Sequence, residues 1–147
     1  MTGAWIHQPH CPSLHTCEQA AIAALDCAIE RGIAIAVAIV DSAGRLICLK
    51  RMDAARPVSA ELAFAKARMA ATFERATDDL QTLVAPGAPA FGAQFHQMGG
   101  TGILPGGLPV MSETGLIGAV GASGADRDGD IACANAAYLY LTQTLRE

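Results

Sequence analysis

His96 is the side chain best suited by type to metal or proton chemistry. It stands in a glycine-rich stretch with Phe91, Phe95 and Met98 close by. Neutral imidazole is a common axial iron ligand, and aromatic and thioether neighbours suit the face of a planar tetrapyrrole such as haem. The same ring titrates near neutrality and could act as a general base, although a lone loop histidine can equally be a surface residue. His7, His10 and His15 flank Cys11, where they could gather a metal ion or bind one adventitiously. Arg51 and Arg56 bracket Asp53 at the end of an apolar segment. A guanidinium fork there would hold a carboxylate, a haem propionate or an organic acid, unless the turn is simply solvated and capped by Asp53. Lys66 sits among alanines, either as an anion-holding amine or as a stem that snorkels to solvent. Glu113 and Asp126 could pair as acid and base if the fold brings them together. None of the serines stands in a nucleophile-elbow pattern.

Four glycines spaced by three, Gly115, Gly118, Gly121 and Gly124, run through GLIGAVGASGAD. Glycine inside a strand marks a bulge or a close approach by a helix or ligand. No GxG occurs and the segment lies near the C-terminus, which excludes a dinucleotide fingerprint. Two readings remain. Gly118 and Gly121 let a helix lie tightly on the sheet, or the turn through Gly121, Ser123, Gly124 and Asp126 faces an anionic ligand with its backbone N–H groups. Gly106 and Gly107, just upstream, belong to the same candidate pocket, built from the 51–59 turn, the 91–110 loop and the 122–128 turn.

These residues need elements to position them. Residues 1–15 read as an arm, and 16–147 as one domain. T-x-x-Q at Thr16–Gln19 has capping-box form and opens a helix that stops at Gly32. IAIAVAIV over 33–40 is an unbroken apolar run that predicts a strand buried on both faces. Asp41–Gly44 has turn chemistry, and 45–52 returns as a second strand. Pro57 suits the first turn of a helix over 59–74, which is apolar nearly all round. Thr77 opens a short third helix. Residues 86–109 are too rich in glycine and proline for regular structure. Strands at 108–111 and 116–122 form a second hairpin, and a last helix spans about 128–145 with Ile131, Ala134, Tyr138, Leu141 and Leu145 inward. Hairpins separated by helices predict an antiparallel α+β fold in three layers.

At 147 residues the chain suits one domain. Its hydrophobic content is 52%, much of it alanine, with only seven aromatic residues. A core so poor in aromatics predicts stabilisation by subunit contacts, hence a homo-oligomer. The net charge of −4 with scattered acids argues against nucleic acid as a partner. No apolar run reaches the ~20 residues of a membrane span, and no secretory pattern opens the chain, which points to the cytoplasm. Five cysteines without CxxC spacing argue against a disulfide framework or zinc site.

The segments AIAVAIVDSAGRLICLKRMDAA, AFAKARMAATF, GGLPV and GLIGAVGASGAD with the following Asp130 resemble the GlcG/HbpS family, whose domain also forms the C-terminal part of PduO-type proteins. The resemblance covers roughly residues 16–140. It implies a profilin-like fold with a five-stranded antiparallel sheet between helices, assembled as hexamers or octamers. It also implies haem or corrinoid binding, or an accessory role in a catabolic or redox pathway. In the leading reading a small ligand, haem foremost, sits between the 51–59 turn, the 91–110 loop and the 122–128 turn, with His96 as axial ligand and Arg51 and Arg56 on the propionates. The alternative is a cofactor-independent isomerase, hydratase or cyclase of a small organic acid or carbonyl compound, with His96 or Glu113 moving protons and Lys66 or Arg51 holding the anion.

Overall fold

The structure, a computed structural model, describes residues 11–92 and 103–145. Helix α1 (Leu14–Arg31) begins two residues before the expected Thr16, because the Ser13 hydroxyl accepts from the Thr16 amide at 3.1 Å and caps the first turn. Its end is as expected, with Gly32 at φ 66° donating to the Ala28 and Ile29 carbonyls. Strands β1 (Ala36–Asp41) and β2 (Leu46–Arg51) form the first hairpin. Asp41 holds its turn by accepting from the amides of Ala43 and Arg45 at 2.8 and 2.9 Å. Helices α2 (Val58–Phe73) and α3 (Thr77–Val84) follow, then strands β3 (Gly107–Ser112) and β4 (Gly115–Ser123), and finally helix α4 (Arg127–Thr144).

The sheet is antiparallel throughout, in the order β2-β1-β4-β3. The described residues thus hold four strands where the resemblance implies five. All six residues of β1 are buried, as an apolar run between two covered faces requires. Ile35, Val37 and Ile39 point to one face, where α1 and α4 pack with Cys17, Ala24, Cys133 and Leu141. Ala36 and Ala38 point to the other, under Ala63, Ala67 and Ala70 of α2. On α4 the inward stripe differs from expectation. Gly129, Asp130, Cys133 and Ala137 join Ala134 and Leu141 in it, whereas Leu145, the residue that caps the helix, is 44% exposed. No helix among the described residues is long and apolar enough to cross a membrane. The five cysteines are free, and burial pushes the Cys17 and Cys133 thiols up to about 12.

The glycines of β4 are packing positions. A methyl group at Gly121 would run into the Ala63 carbonyl oxygen and stand 2.6 Å from the Ala67 nitrogen, both backbone atoms of α2. One at Gly118 would run into the Val40 carbonyl of the neighbouring strand. The missing side chain at Gly121 lets α2 lie directly on the sheet, whereas Gly118, also expected to admit the helix, instead makes room for the backbone of β1. Gly121→Ala must therefore push α2 away along its whole contact. The expected cost is about 1–3 kcal/mol, the range for overpacking a close-packed interior, read as a lower midpoint in urea unfolding. An unchanged midpoint would show that α2 does not rest on this glycine.

Candidate functional site

The centre of the site is Lys66, on the third turn of α2. Alanine neighbours carry its stem into the interior, and it is only 5% exposed. Its Nζ donates to the Ala122 carbonyl at the end of β4 (2.9 Å) and to Asp130 Oδ2 on the first turn of α4 (2.8 Å). Asp130, equally buried, accepts from the Ala125 amide through Oδ1 at 2.9 Å. Each charge is therefore matched and hydrogen-bonded, the condition for a buried ion pair to persist. Burial lowers the Lys66 pKa from 10.5, and the hydrogen bond and charge of Asp130 oppose that shift.

Gly106 and Gly107 fit around the pair. Gly106 has φ +117°, and a side chain there would stand 2.6 Å from the Ala122 oxygen and 3.3 Å from Lys66 Nζ. The Gly106 carbonyl accepts from the Ala122 amide at 2.9 Å. The Gly107 amide donates to the Thr77 hydroxyl at 2.9 Å. Thr77 is thus a buried tie between α3 and β3, and Ala76 is the residue that precedes the helix as its cap.

Beside the pair lies a cavity of about 260 Å³. Ser59, Lys66, Ser123 and Asp130 supply its polar wall, Leu62 and Leu104 an apolar one, and Arg56 and Arg127 its mouth. Ser59 and Ser123 are 2% and 4% exposed, and neither hydroxyl has a hydrogen-bond partner among the described residues. Arg56 forms no ion pair among the described residues, whereas Arg127 grips Asp78 through Nε and Nη2 at 3.0 and 2.6 Å.

The structure brings Arg56, Lys66, Gly106, Ser123 and Gly124 together and separates others. Arg51 is exposed at the end of β2 and donates to the Pro57 carbonyl at 3.4 Å, beside the cavity rather than in it. Asp126 caps α4 by accepting from the Gly129 amide at 2.8 Å. Of the amides expected to bind an anion, those of Ala122 and Ala125 are already used, by Gly106 and Asp130. Gly121 lies under α2. Glu113 stands in the exposed β3–β4 turn, at the other end of β4 from Asp126, so the two acids do not meet. Among the described residues no group of His, Cys, Asp and Glu could hold a metal ion. His96, like His7 and His10, lies outside the described residues. The residues that sequence reasoning missed are Ser59, Arg127 and above all Asp130. The signal for Asp130 was an acid one turn beyond Asp126, facing inward beside the only lysine in a covered helix.

These features define a layered α+β domain with a polar cavity where β4 runs into α4. A solved protein of the same kind, Klebsiella pneumoniae ORFY, is 30% identical, with 92% of this chain and 94% of that one covered and a TM-score of 0.86. The PduOC:heme complex is 33% identical, with 88% and 94% covered and a TM-score of 0.83. The family described as haem degrading protein HbpS-like matches residues 13–138, and this chain belongs to it. Corrinoid adenosyltransferase PduO of Salmonella typhimurium is 36% identical over 122 residues, 82% of this chain. The match covers 36% of PduO, so this chain spans about a third of that relative's length.

Two outcomes test the ion pair. Asp130→Ala strands a buried ammonium and is expected to cost about 3–5 kcal/mol, while the double change Lys66→Met with Asp130→Leu recovers most of it. Because the folded-state pKa of Lys66 lies below 10.5, the unfolded chain binds more protons between the folded value and 10.5. Stability referred to the double variant should therefore rise with pH across that window, and the cost of burying the ammonium is fully present below it. Urea unfolding of both proteins at pH 8 and pH 10 reads the sign, and a fall toward pH 10 would contradict it.

Proposed function

We propose that this chain binds a small carboxylate-bearing ligand in the cavity between α2 and the start of α4, haem or another tetrapyrrole being the foremost ligand. The observation that carries the reading is the pair of buried hydroxyls, Ser59 and Ser123, which have no hydrogen-bond partner among the described residues and stand beside Arg56. An arginine fork and two hydroxyls match the donors a carboxylate needs. A cavity of about 260 Å³ takes a carboxylate arm, and the ring would lie outward against Val58 and Leu104, which are 49% and 40% exposed. When bound, haem supplies iron for ligand or redox chemistry. No His, Cys or Met side chain lines the cavity among the described residues, so the axial ligand is proposed to be His96. The haem complex of PduOC supports this choice of ligand.

We propose further that the chain works in the cytoplasm as a homo-oligomer. Leu46 and Leu49 on the face of β2 that α2 leaves uncovered are 45% and 39% exposed, surface that a second copy would cover. A second functional reading, an enzyme for small organic acids or carbonyl compounds, is favoured by the buried amine of Lys66 against the cavity.

Titration of the purified protein with haemin is expected to give a saturable Soret band. Arg56→Ala should weaken binding by about tenfold or more, corresponding to roughly 1.5 kcal/mol for a hydrogen bond to a charged group. His96→Ala should alter the band's position, the mark of a lost axial ligand. No saturable band, or an affinity indifferent to Arg56, would overturn the reading.

A further inference from the structure

The functional reading above rests on the carboxylate donors of the cavity and leaves its most reactive group unused. Lys66 Nζ opens on the same space as Arg56, Ser59 and Ser123. Two of its three hydrogen-bonding positions are held, by Ala122 O and Asp130 Oδ2, and no partner takes the third among the described residues. Gly106 keeps room beside the amine, since a side chain there would stand 3.3 Å from Nζ. The cavity, at about 260 Å³, is below the size of ordinary drug-sized sites and suits a molecule of a few heavy atoms.

We infer that Lys66 captures the carbonyl carbon of a small 2-oxo acid as a Schiff base, with Asp130 as proton partner and counter-ion and Arg56 with the two serine hydroxyls on the carboxylate. The inference rests on the cavity being the ligand site and names a substrate class for it. Lys66 first passes a proton to Asp130 across the 2.8 Å hydrogen bond. The free electron pair of the amine then forms the C–N bond while the carbonyl π pair moves to oxygen. The oxygen takes the Asp130 proton and one from nitrogen, the C–O bond breaks, and water leaves. Overall an ammonium and a ketone become an iminium and water. One positive charge therefore faces the Asp130 carboxylate before and after, and the buried pair stays matched. Desolvation of the amine, which favours its neutral form, supports the first step.

The chain contains only two lysines, Lys50 on β2 and Lys66, which makes the test direct. The intact protein is incubated with pyruvate and sodium cyanoborohydride, digested and mapped by mass spectrometry. The expected result is one reduced pyruvate adduct per chain, on the peptide containing Lys66, retained in Lys50→Arg and lost in Lys66→Arg. Since Lys66→Arg can disturb folding, the mapping on the unaltered protein is decisive. No adduct, or adducts confined to Lys50 or the terminal amine, would overturn the inference. Thermal unfolding with pyruvate and with lactate, which has the carboxylate without the ketone, separates the two claims. A higher midpoint with both ligands but no Lys66 adduct would sink the Schiff base alone. No shift and no adduct would count against the cavity as a carboxylate site as well.

Discussion

One buried ion pair governs the architecture of this domain. Lys66 belongs to α2, Asp130 to α4, and the Ala122 carbonyl between them to the end of β4. Helices on opposite faces of the sheet are thereby tied at the edge where the strand ends. Two charges out of water call for compensating hydrogen bonds, and the neighbouring backbone is shaped to supply them. The Ala125 amide turns back to Asp130, and Gly106 has no side chain to collide with the Ala122 oxygen that Lys66 bonds. Removing one partner would leave an uncompensated charge in the interior. Removing both would leave a packed apolar domain without the chemistry.

The alanine-rich core makes this arrangement possible. Alanines on α2 face Ala36 and Ala38 of β1 and the bare backbone at Gly121, so the helix axis comes close enough for a lysine stem to cross to the far layer. The larger residues, Ile35, Val37, Ile39 and Leu141, lie on the opposite face under α1 and α4, where most of the apolar side-chain burial is concentrated. One face supplies burial and the other proximity. The cavity opens where the close-packed face ends, between the first turns of α2 and α4.

Much of this was legible in the sequence. The apolar run at 33–40, the Asp41–Gly44 turn and the Gly32 stop each follow from local chemistry, and the structure has them within a few residues. Gly121 was legible as a close approach of helix and sheet, whereas Gly118 proved to admit the neighbouring strand. The start of α1 was misjudged because Ser13 and Thr16 are both competent caps, and the hydroxyl three residues earlier wins. The site was harder to read. Lys66 drew attention only as a lysine among alanines, and snorkelling was a fair reading of that helix. Lys66 lies off the exposed stripe of that helix, which runs through Val58, Glu61, Arg68 and Thr72, and a lysine on the covered side needs an acid. Which acid depends on β4 and α4 meeting above α2, a contact between segments some sixty residues apart that no local pattern encodes. Glu113 and Asp126 illustrate the converse: both acids are near in sequence, yet a nine-residue strand separates their turns.

The relationship to the HbpS-like family and the haem complex of PduOC bear on the ligand, while the geometry of this chain bears on where a ligand sits. The two meet in the hydroxyls of Ser59 and Ser123 and the guanidinium of Arg56, the groups proposed to donate to a carboxylate of a tetrapyrrole or of a smaller acid. The most direct measurement is a crystal structure of this protein with haemin bound. The account predicts a carboxylate within hydrogen-bond distance of Arg56 and of at least one of the two serine hydroxyls, with the Lys66–Asp130 pair intact beside it. A ligand held elsewhere on the domain, with this cavity filled only by water, would contradict it.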